Sequence, residues 1–101
     1  MEKNVKMSML LEIYGKLLTD KQQDVLDLYY NQNLSLAEIA EDANITRQGV
    51  RKILLGGENK LLDYETKLAI LSTKLKNTKI IEELIKETKD IDFKDKLKKL
   101  L

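Results

Sequence analysis

Apolar residues recur along the whole chain at the spacing of α-helices, and the chain has four glycines and no proline. This pattern predicts helices joined by short turns. A first helix is expected over about residues 3–17, with Gly15 near its end to loosen or stop it. Its buried face is predicted at every fourth residue: Val5, Met9, Ile13 and Leu17.

Two capping boxes mark the starts of the next two helices. In the first, Thr19 lies three residues before Gln22, and in the second, Ser35 lies three residues before Glu38. The residues Asn-Gln-Asn at 31–33 end the first of these helices. The residues predicted to be buried are Val25, Leu26, Leu28 and Tyr29 in one helix, and Leu36, Ile39, Ala40 and Ala43 in the other.

The most informative signal is a capped helix, a tight turn and a second capped helix between residues 34 and 53. Asn44 tolerates the left-handed backbone that such a turn needs. Ile45 is expected to be a buried plug, and Thr46 is expected to cap the helix that begins at Arg47. Ala40, Val50, Ile53 and Leu54 would hold the two helices together. The pattern predicts a helix-turn-helix whose second helix is the recognition helix.

The pair Gly56-Gly57 is expected to interrupt this helix, since each glycine costs about 1 kcal/mol relative to alanine inside a helix. Beyond the pair, a 3-4-3-4 spacing predicts a heptad seam that would serve a homodimer, with a core inside one chain as the alternative. The seam residues are Leu61, Tyr64, Leu68, Leu71 and Leu75.

The last part of the chain is predicted to be helical too. Asn77-Thr78 predicts a break before a helix around residues 80–85, and Asp92 is expected to cap a final short helix. Phe93, Leu97 and Leu100 would lie inside. The predicted organisation is one all-α domain over residues 1–101, with a helix-turn-helix core over about 19–57 and a helical extension and dimerisation part over about 58–101.

Composition excludes several chemistries. The chain has no Cys and no His, which excludes disulfides, a zinc site of the usual ligands, and thiol or imidazole catalysis. No glycine-rich phosphate loop is present, and carboxylate pairs such as Glu82-Glu83 are spaced as helix surface. We therefore expect no catalytic residues, no metal and no cofactor. The apolar stretch at residues 7–14 is too short to cross a bilayer, so a soluble cytoplasmic protein is expected.

Charge is distributed unevenly along the chain. Residues 1–50 carry five basic and eight acidic groups, a net of 5 − 8 = −3, and residues 51–101 carry thirteen and nine, a net of 13 − 9 = +4. The only two arginines, Arg47 and Arg51, lie one helical turn apart in the predicted recognition helix. This asymmetry hints at an anionic partner.

The candidate binding face consists of polar side chains at the start of the recognition helix. Arg47, Gln48, Arg51 and Lys52 would point away from the core. Arg and Gln are suited to reading base edges and Lys to neutralising phosphate, while Thr46 and the first helical amides could hold a phosphate. The alternative is a solvated polar face with no ligand.

The chain resembles region 4 of bacterial sigma factors and, more closely, the YlxM family of small helix-turn-helix proteins, over about residues 7–75. The segments that carry this resemblance are Tyr14–Gln22, Leu28–Tyr30, Ser35–Ala40, Arg47-Gln48 and Glu58–Glu65. The resemblance implies an all-α dimeric protein of the signal recognition particle pathway. Its implied partners are the particle's RNA and its GTPase Ffh.

One segment departs from the family pattern. Residues 53–57, Ile-Leu-Leu-Gly-Gly, stand where the family usually has polar and basic residues. An exposed Leu55 would suit a protein or structured-RNA contact better than a DNA major groove.

Three functional hypotheses follow. The first is a non-enzymatic accessory protein of the targeting pathway, for which the RNA-contacting candidates are Arg51, Lys52, Lys60 and Lys67. The second is a DNA-binding transcriptional regulator that reads a major groove with Arg47, Gln48 and Arg51. The third is an interaction module in which the heptad seam forms a homodimer and the charges only solvate the surface.

Overall fold

The computed structural model describes residues 1–101 and consists of six α-helices without a strand, which confirms the predicted all-α class. The helices are α1 Lys3–Tyr14, α2 Asp20–Leu26, α3 Leu36–Ala43, α4 Arg47–Leu68, α5 Ile70–Glu87 and α6 Ile91–Lys98. A 3-10 turn, Gly15–Leu17, follows α1, and a π turn, Asp27–Asn31, continues α2. None of the six helices is both long enough and apolar enough to cross a membrane.

The chain divides into two compact units, unit 1 over Met1–Ala69 and unit 2 over Ile70–Leu101. In unit 1, α4 packs against α1, α2 and α3. In unit 2, α5 packs against α6. Residues 58–69, which the sequence assigned to the extension, therefore belong to the same unit as the helix-turn-helix.

The predicted helix starts in unit 1 are confirmed. The Thr19 hydroxyl accepts a hydrogen bond from the Gln22 amide at 3.2 Å, and the Gln22 side chain accepts one from the Thr19 amide, completing a capping box. Ser35 and Glu38 form the second box at 3.1 Å in each direction. These reciprocal bonds satisfy amides that would otherwise have no partner at the helix ends.

The predicted buried stripe of α1 is wrong. The residues that α1 buries are Met7, Leu10, Leu11 and Tyr14. Val5 is 44% exposed and Leu17 is 57% exposed. A spacing of four residues drifts by about 40° per repeat around a helix of 3.6 residues per turn, so the predicted stripe cannot stay on one face. Leu17 also lies beyond the α-helix, in the 3-10 turn.

The π turn changes which tyrosine enters the core. The sequence predicted Leu28 and Tyr29 on the buried side, but both are only half-buried and Tyr30 is buried instead. A π turn holds more residues per turn than an α-helix, so it rotates the residues that follow it. The segment then ends at Asn33, which has a φ of 57°.

The side chains at the helix-turn-helix turn are more exposed to solvent than predicted. Ala43 is exposed, and Ile45, the expected buried plug, is 41% exposed. Ile39 and Ala40 supply the buried face of α3. The turn is closed by its backbone, with the Ile45 amide donating to the Ala40 carbonyl at 3.1 Å, and so does not need a buried side chain at 45.

The predicted interruption at Gly56-Gly57 is wrong, because α4 continues through both glycines to Leu68. A Cβ at Gly57 would lie 2.6 Å from Leu26 Cδ1 of α2, whereas a Cβ at Gly56 would meet only Gln22 Nε2, at 3.2 Å. Gly57 therefore permits α2 and α4 to approach closely. The packing gained there outweighs the low helix propensity of glycine.

The predicted continuous heptad seam is also wrong. Helix α4 ends at Leu68, Ala69 adopts a left-handed conformation with φ 52°, and α5 starts at Ile70. Leu61 and Tyr64 therefore lie on a different helix from Leu71 and Leu75. Of the seam residues, Leu61 and Leu71 are buried, Tyr64 is half-buried, and Leu68 and Leu75 are exposed.

Unit 2 differs from its prediction at both helices. Helix α5 runs through Asn77-Thr78 without the expected break. Helix α6 is capped by Asp90 instead of Asp92, and its carboxylate accepts from the amides of Asp92 at 3.0 Å and Phe93 at 3.2 Å. Leu97 is buried as predicted. Phe93 and Leu100, predicted to be inside, are exposed.

Tyrosine hydroxyls connect α4 to the first part of unit 1. The buried Tyr30 donates to the buried Glu58 carboxylate, whose other oxygen lies 3.9 Å from Lys3 Nζ. Tyr14 donates to Glu65 at 2.8 Å. Burial and the neighbouring Glu58 carboxylate raise the pKa of Tyr30 well above its usual value.

The two adjacent glycines should respond differently to alanine. Gly57→Ala is expected to destabilise the protein by about 1–3 kcal/mol, since the new methyl group overpacks against the buried Leu26. Gly56→Ala is the matched control and should be neutral or stabilising by up to about 1 kcal/mol. Urea unfolding followed by circular dichroism measures both variants. Equal stability of the two variants would contradict the close approach at Gly57.

Tyr30→Phe should destabilise the protein by about 1–3 kcal/mol at neutral pH, because Glu58 loses its buried donor. Because the pKa of Tyr30 is higher in the folded protein than in the unfolded chain, where it is about 10, the neutral tyrosine favours the fold. This contribution is complete below about pH 10 and is lost as the pH rises through the folded-state pKa. Unfolding free energies measured from pH 8 upwards should therefore fall more steeply above about pH 10 in the wild type than in Tyr30→Phe. Parallel curves would be inconsistent with this role of Tyr30.

Candidate nucleic-acid interface

The helix-turn-helix is formed by α3, a three-residue turn and the first half of α4. Asn44 adopts φ 55° as the sequence predicted, and its amide donates to the last turn of α3. Val50 is fully buried and Leu54 nearly so, while Ile53 is half-buried. With these residues facing inward, the opposite side of α4 faces solvent.

Four of the six predicted site residues share one outward stripe. Gln48, Arg51, Lys52 and Leu55 follow an i, i+3, i+4, i+7 spacing and are all exposed. Arg47 is exposed at the first position of the helix, beside this stripe. The structure thus brings the predicted basic residues together over two turns. Leu55 lies at the C-terminal end of the stripe.

Thr46 acts first as a structural cap. Its hydroxyl oxygen accepts from the Gly49 amide at 3.0 Å, and its carbonyl accepts from the Val50 amide at 3.0 Å. The amides of Arg47 and Gln48 lie in the first turn, where a helix offers no internal acceptor. These amides and the positive end of the helix dipole lie next to the two arginines and could contact an anionic group.

The positive surface is short. After Lys52 the outward stripe continues with Leu55, Asn59 and Leu62. Two further lysines of α4 do not extend it: Lys60 Nζ donates to Gln22 Oε1 at 3.2 Å, and Lys67 lies 2.9 Å from Asp63, whose hydrogen bond raises the pKa of Lys67. Of the RNA-contacting candidates, the structure therefore groups Arg51 and Lys52 with Arg47, and places Lys60 and Lys67 in later turns.

The acidic residues of α3 limit how a polyanion can approach. Glu38, Glu41 and Asp42 are exposed on that helix. A phosphate backbone would be repelled by α3 and attracted by the start of α4, so contact is expected to be confined to the recognition helix. The structure contains no cluster of three or more acidic side chains suited to holding a metal ion.

The sequence did not reveal the buried Tyr30–Glu58 pair. One signal was present, because Glu58 follows Leu54 by four residues and precedes Leu61 by three, which places a carboxylate on the core face of α4. A carboxylate at such a position needs a buried partner. That partner could not be identified without the π turn that brings Tyr30 inward.

Comparison with known proteins agrees with the helix-turn-helix geometry. A family model described as "Putative helix-turn-helix protein, YlxM / p13 like" (UPF0122) matches residues 1–101. A UPF0122 protein of Clostridium kluyveri is 50% identical over 97 residues, covering 96% of this chain and 82% of the relative. A UPF0122 protein of Clostridium botulinum is 38% identical over 109 residues, covering 99% of this chain and 100% of the relative. A UPF0122 protein of Lactococcus lactis is 44% identical over 86 residues, covering 85% of this chain and 78% of the relative. The chain therefore belongs to the UPF0122 family of YlxM/p13-like helix-turn-helix proteins.

Proposed function

We propose that this chain is a non-enzymatic accessory protein of the signal recognition particle pathway, located in the cytoplasm, that binds structured RNA through the start of α4. The observation that most supports this proposal is the exposed stripe of Gln48, Arg51, Lys52 and Leu55 beside Arg47. The partners proposed are the particle's RNA and its GTPase Ffh, which the resemblance to the YlxM family implies. The family's helix-turn-helix description supports nucleic-acid binding in general.

The composition of the stripe favours structured RNA over a long DNA duplex. Only three basic residues, Arg47, Arg51 and Lys52, lie at the start of α4, and α3 beside it is acidic. A DNA duplex bound in the major groove would need more phosphate contacts along its length. A folded RNA can present phosphates, 2′-hydroxyls and unstacked bases over a small area, and an apolar side chain such as Leu55 can contact the bases.

Sequence-specific DNA binding is the second candidate function. It is favoured by Gln48 and Arg51, whose side chains can form bidentate contacts with adenine and guanine edges. In the helix-turn-helix geometry these residues lie in the first two turns of the recognition helix, where base contacts are made. A transcriptional regulator would then use the same stripe.

A homodimer stays a prediction. Its interface would have to lie on a surface other than the heptad seam that the sequence predicted. Leu61 is fully buried and cannot contact a second copy without unfolding α4 from its neighbours. On unit 2, Ile80 and Leu84 are exposed and lie one turn apart on α5. A two-helix unit of this size buries too little apolar surface to be stable alone, which favours a second copy as the cover for this face.

The direct test is a fluorescence titration of the chain against signal recognition particle RNA, with and without Ffh, a scrambled RNA hairpin and a DNA duplex of similar length. We expect the particle RNA or its Ffh complex to bind most tightly. With about three phosphate contacts, the logarithm of the binding constant should fall by about 2–3 per tenfold rise in salt. Arg47→Ala/Arg51→Ala should reduce that slope by about 1–2 and weaken binding at least tenfold.

The matched control is Lys79→Ala/Lys86→Ala, which removes the same charge from exposed positions of α5. It should leave RNA binding unchanged within about twofold. Binding that is equal and salt-sensitive for all targets would reject the targeting role. Enrichment of one motif from a random duplex pool would favour the transcriptional regulator instead.

A further inference from the structure

Helix α1 carries apolar side chains on two opposite sides. One side is the buried face of Met7, Leu10, Leu11 and Tyr14. On the other side, Val5 is exposed, and Met9 and Ile13 are only half-buried. A surface helix normally exposes a polar face, whereas α1 leaves these three apolar side chains wholly or partly exposed among polar residues such as Lys6 and Glu12. The packing of unit 1 therefore leaves apolar surface accessible on the outer side of α1.

The outer side of α1 forms one wall of a groove whose other wall is α2 and the π turn. The groove has a volume of about 780 Å³. Its apolar lining comes from Val5 and Met9 of the outer side, with Leu11 and Tyr30 deeper in the unit. Ser8 and Asn31 link its two walls, the Ser8 hydroxyl donating to Asn31 Oδ1 at 2.6 Å. Its lining residues on α1 run from Asn4 to Glu12, which is about two turns of helix.

The polar rim of this groove is acidic. Glu12, Asp24 and Asp27 line it, against a single basic residue, Lys16. Glu12 and Asp24 are exposed. Asp27 is fixed in place, since its two oxygens accept from Asn31 at 2.7 Å and Gln32 at 3.0 Å. A carboxylate-lined groove repels nucleic acid and attracts a cationic segment.

We propose that this groove docks a basic amphipathic helix of a protein partner. The partner's apolar residues would lie on Val5 and Met9, and its Lys or Arg side chains would meet Glu12 and Asp24. Apolar side chains between mostly acidic walls fit the helix-in-groove mode, where the apolar face of the ligand gives affinity and its charges set orientation. The inference extends the protein-partner part of the proposed function to a separate face, and it can fail while α4 still binds RNA.

The test uses two fluorescein-labelled peptides of about 15 residues, long enough to form a helix on binding. Both have Leu at i, i+3, i+4 and i+7 on an alanine background, with Lys on the flanks in one and Glu in the other. The full chain should bind the Lys peptide at least tenfold more tightly than the Glu peptide. Glu12→Lys/Asp24→Lys should reverse this preference, and Val5→Ser should weaken binding of both peptides.

The matched control is Glu41→Lys/Glu83→Lys, which makes the same charge change at exposed positions outside the groove. It should preserve the preference for the Lys peptide within about twofold. Circular dichroism melting of each variant separates loss of binding from loss of fold. Equal binding of the two peptides, or a preference that survives Glu12→Lys/Asp24→Lys, would overturn the proposal. RNA titration of Val5→Ser, which carries no change of charge, reports on α4 independently.

Discussion

The close packing of α2 against α4 at Gly57 is the contact on which the rest of unit 1 depends. Without a Cβ at this position, Leu26 of α2 can lie directly against the α4 backbone. That contact keeps the middle of α4 inside the unit and lets the helix continue to Leu68. Because α4 is one continuous helix, its first two turns are held in a fixed orientation by the packing of its later turns.

Polar contacts add specificity to this packing. The Tyr30–Glu58 hydrogen bond is buried, and a buried carboxylate that lost its donor would carry a large desolvation cost. Tyr14 and Glu65 make a second tyrosine–carboxylate contact about two turns further along α4. These pairs specify one register of α4 against α1 and the π turn. Gly57, by contrast, specifies how closely α4 approaches α2.

Unit 1 thereby presents two surfaces of opposite charge. The start of α4 presents Arg47, Arg51 and Lys52, and the groove beside α1 presents Glu12 and Asp24. Opposite potentials on one small unit allow a polyanion and a cationic segment to be bound without competing for the same residues. This separation is the physical basis for proposing RNA as the ligand of one surface and a protein segment as the ligand of the other.

Local signals in the sequence were sufficient for the helix starts and the helix-turn-helix turn. Thr19, Ser35 and Asn44 act through residues three or four positions away, so their roles can be predicted without the fold. The buried side of α1 could not be predicted in this way, because both sides of that helix are apolar. The interruption predicted at Gly56-Gly57 was wrong because it rested on helix propensity alone. Propensity contains no information about the packing of α2 against this part of α4. The left-handed Ala69 that separates α4 from α5 has no sequence signal of its own, as alanine is the strongest helix former.

The proposal that the first two turns of α4 contact nucleic acid is tested most directly by an amide-resolved NMR titration of the full chain with signal recognition particle RNA. The largest shift changes should fall on residues 46–55, with little change in the groove residues Val5, Met9, Glu12 and Asp24. Changes concentrated in that groove or in unit 2, with residues 46–55 unaffected, would contradict it.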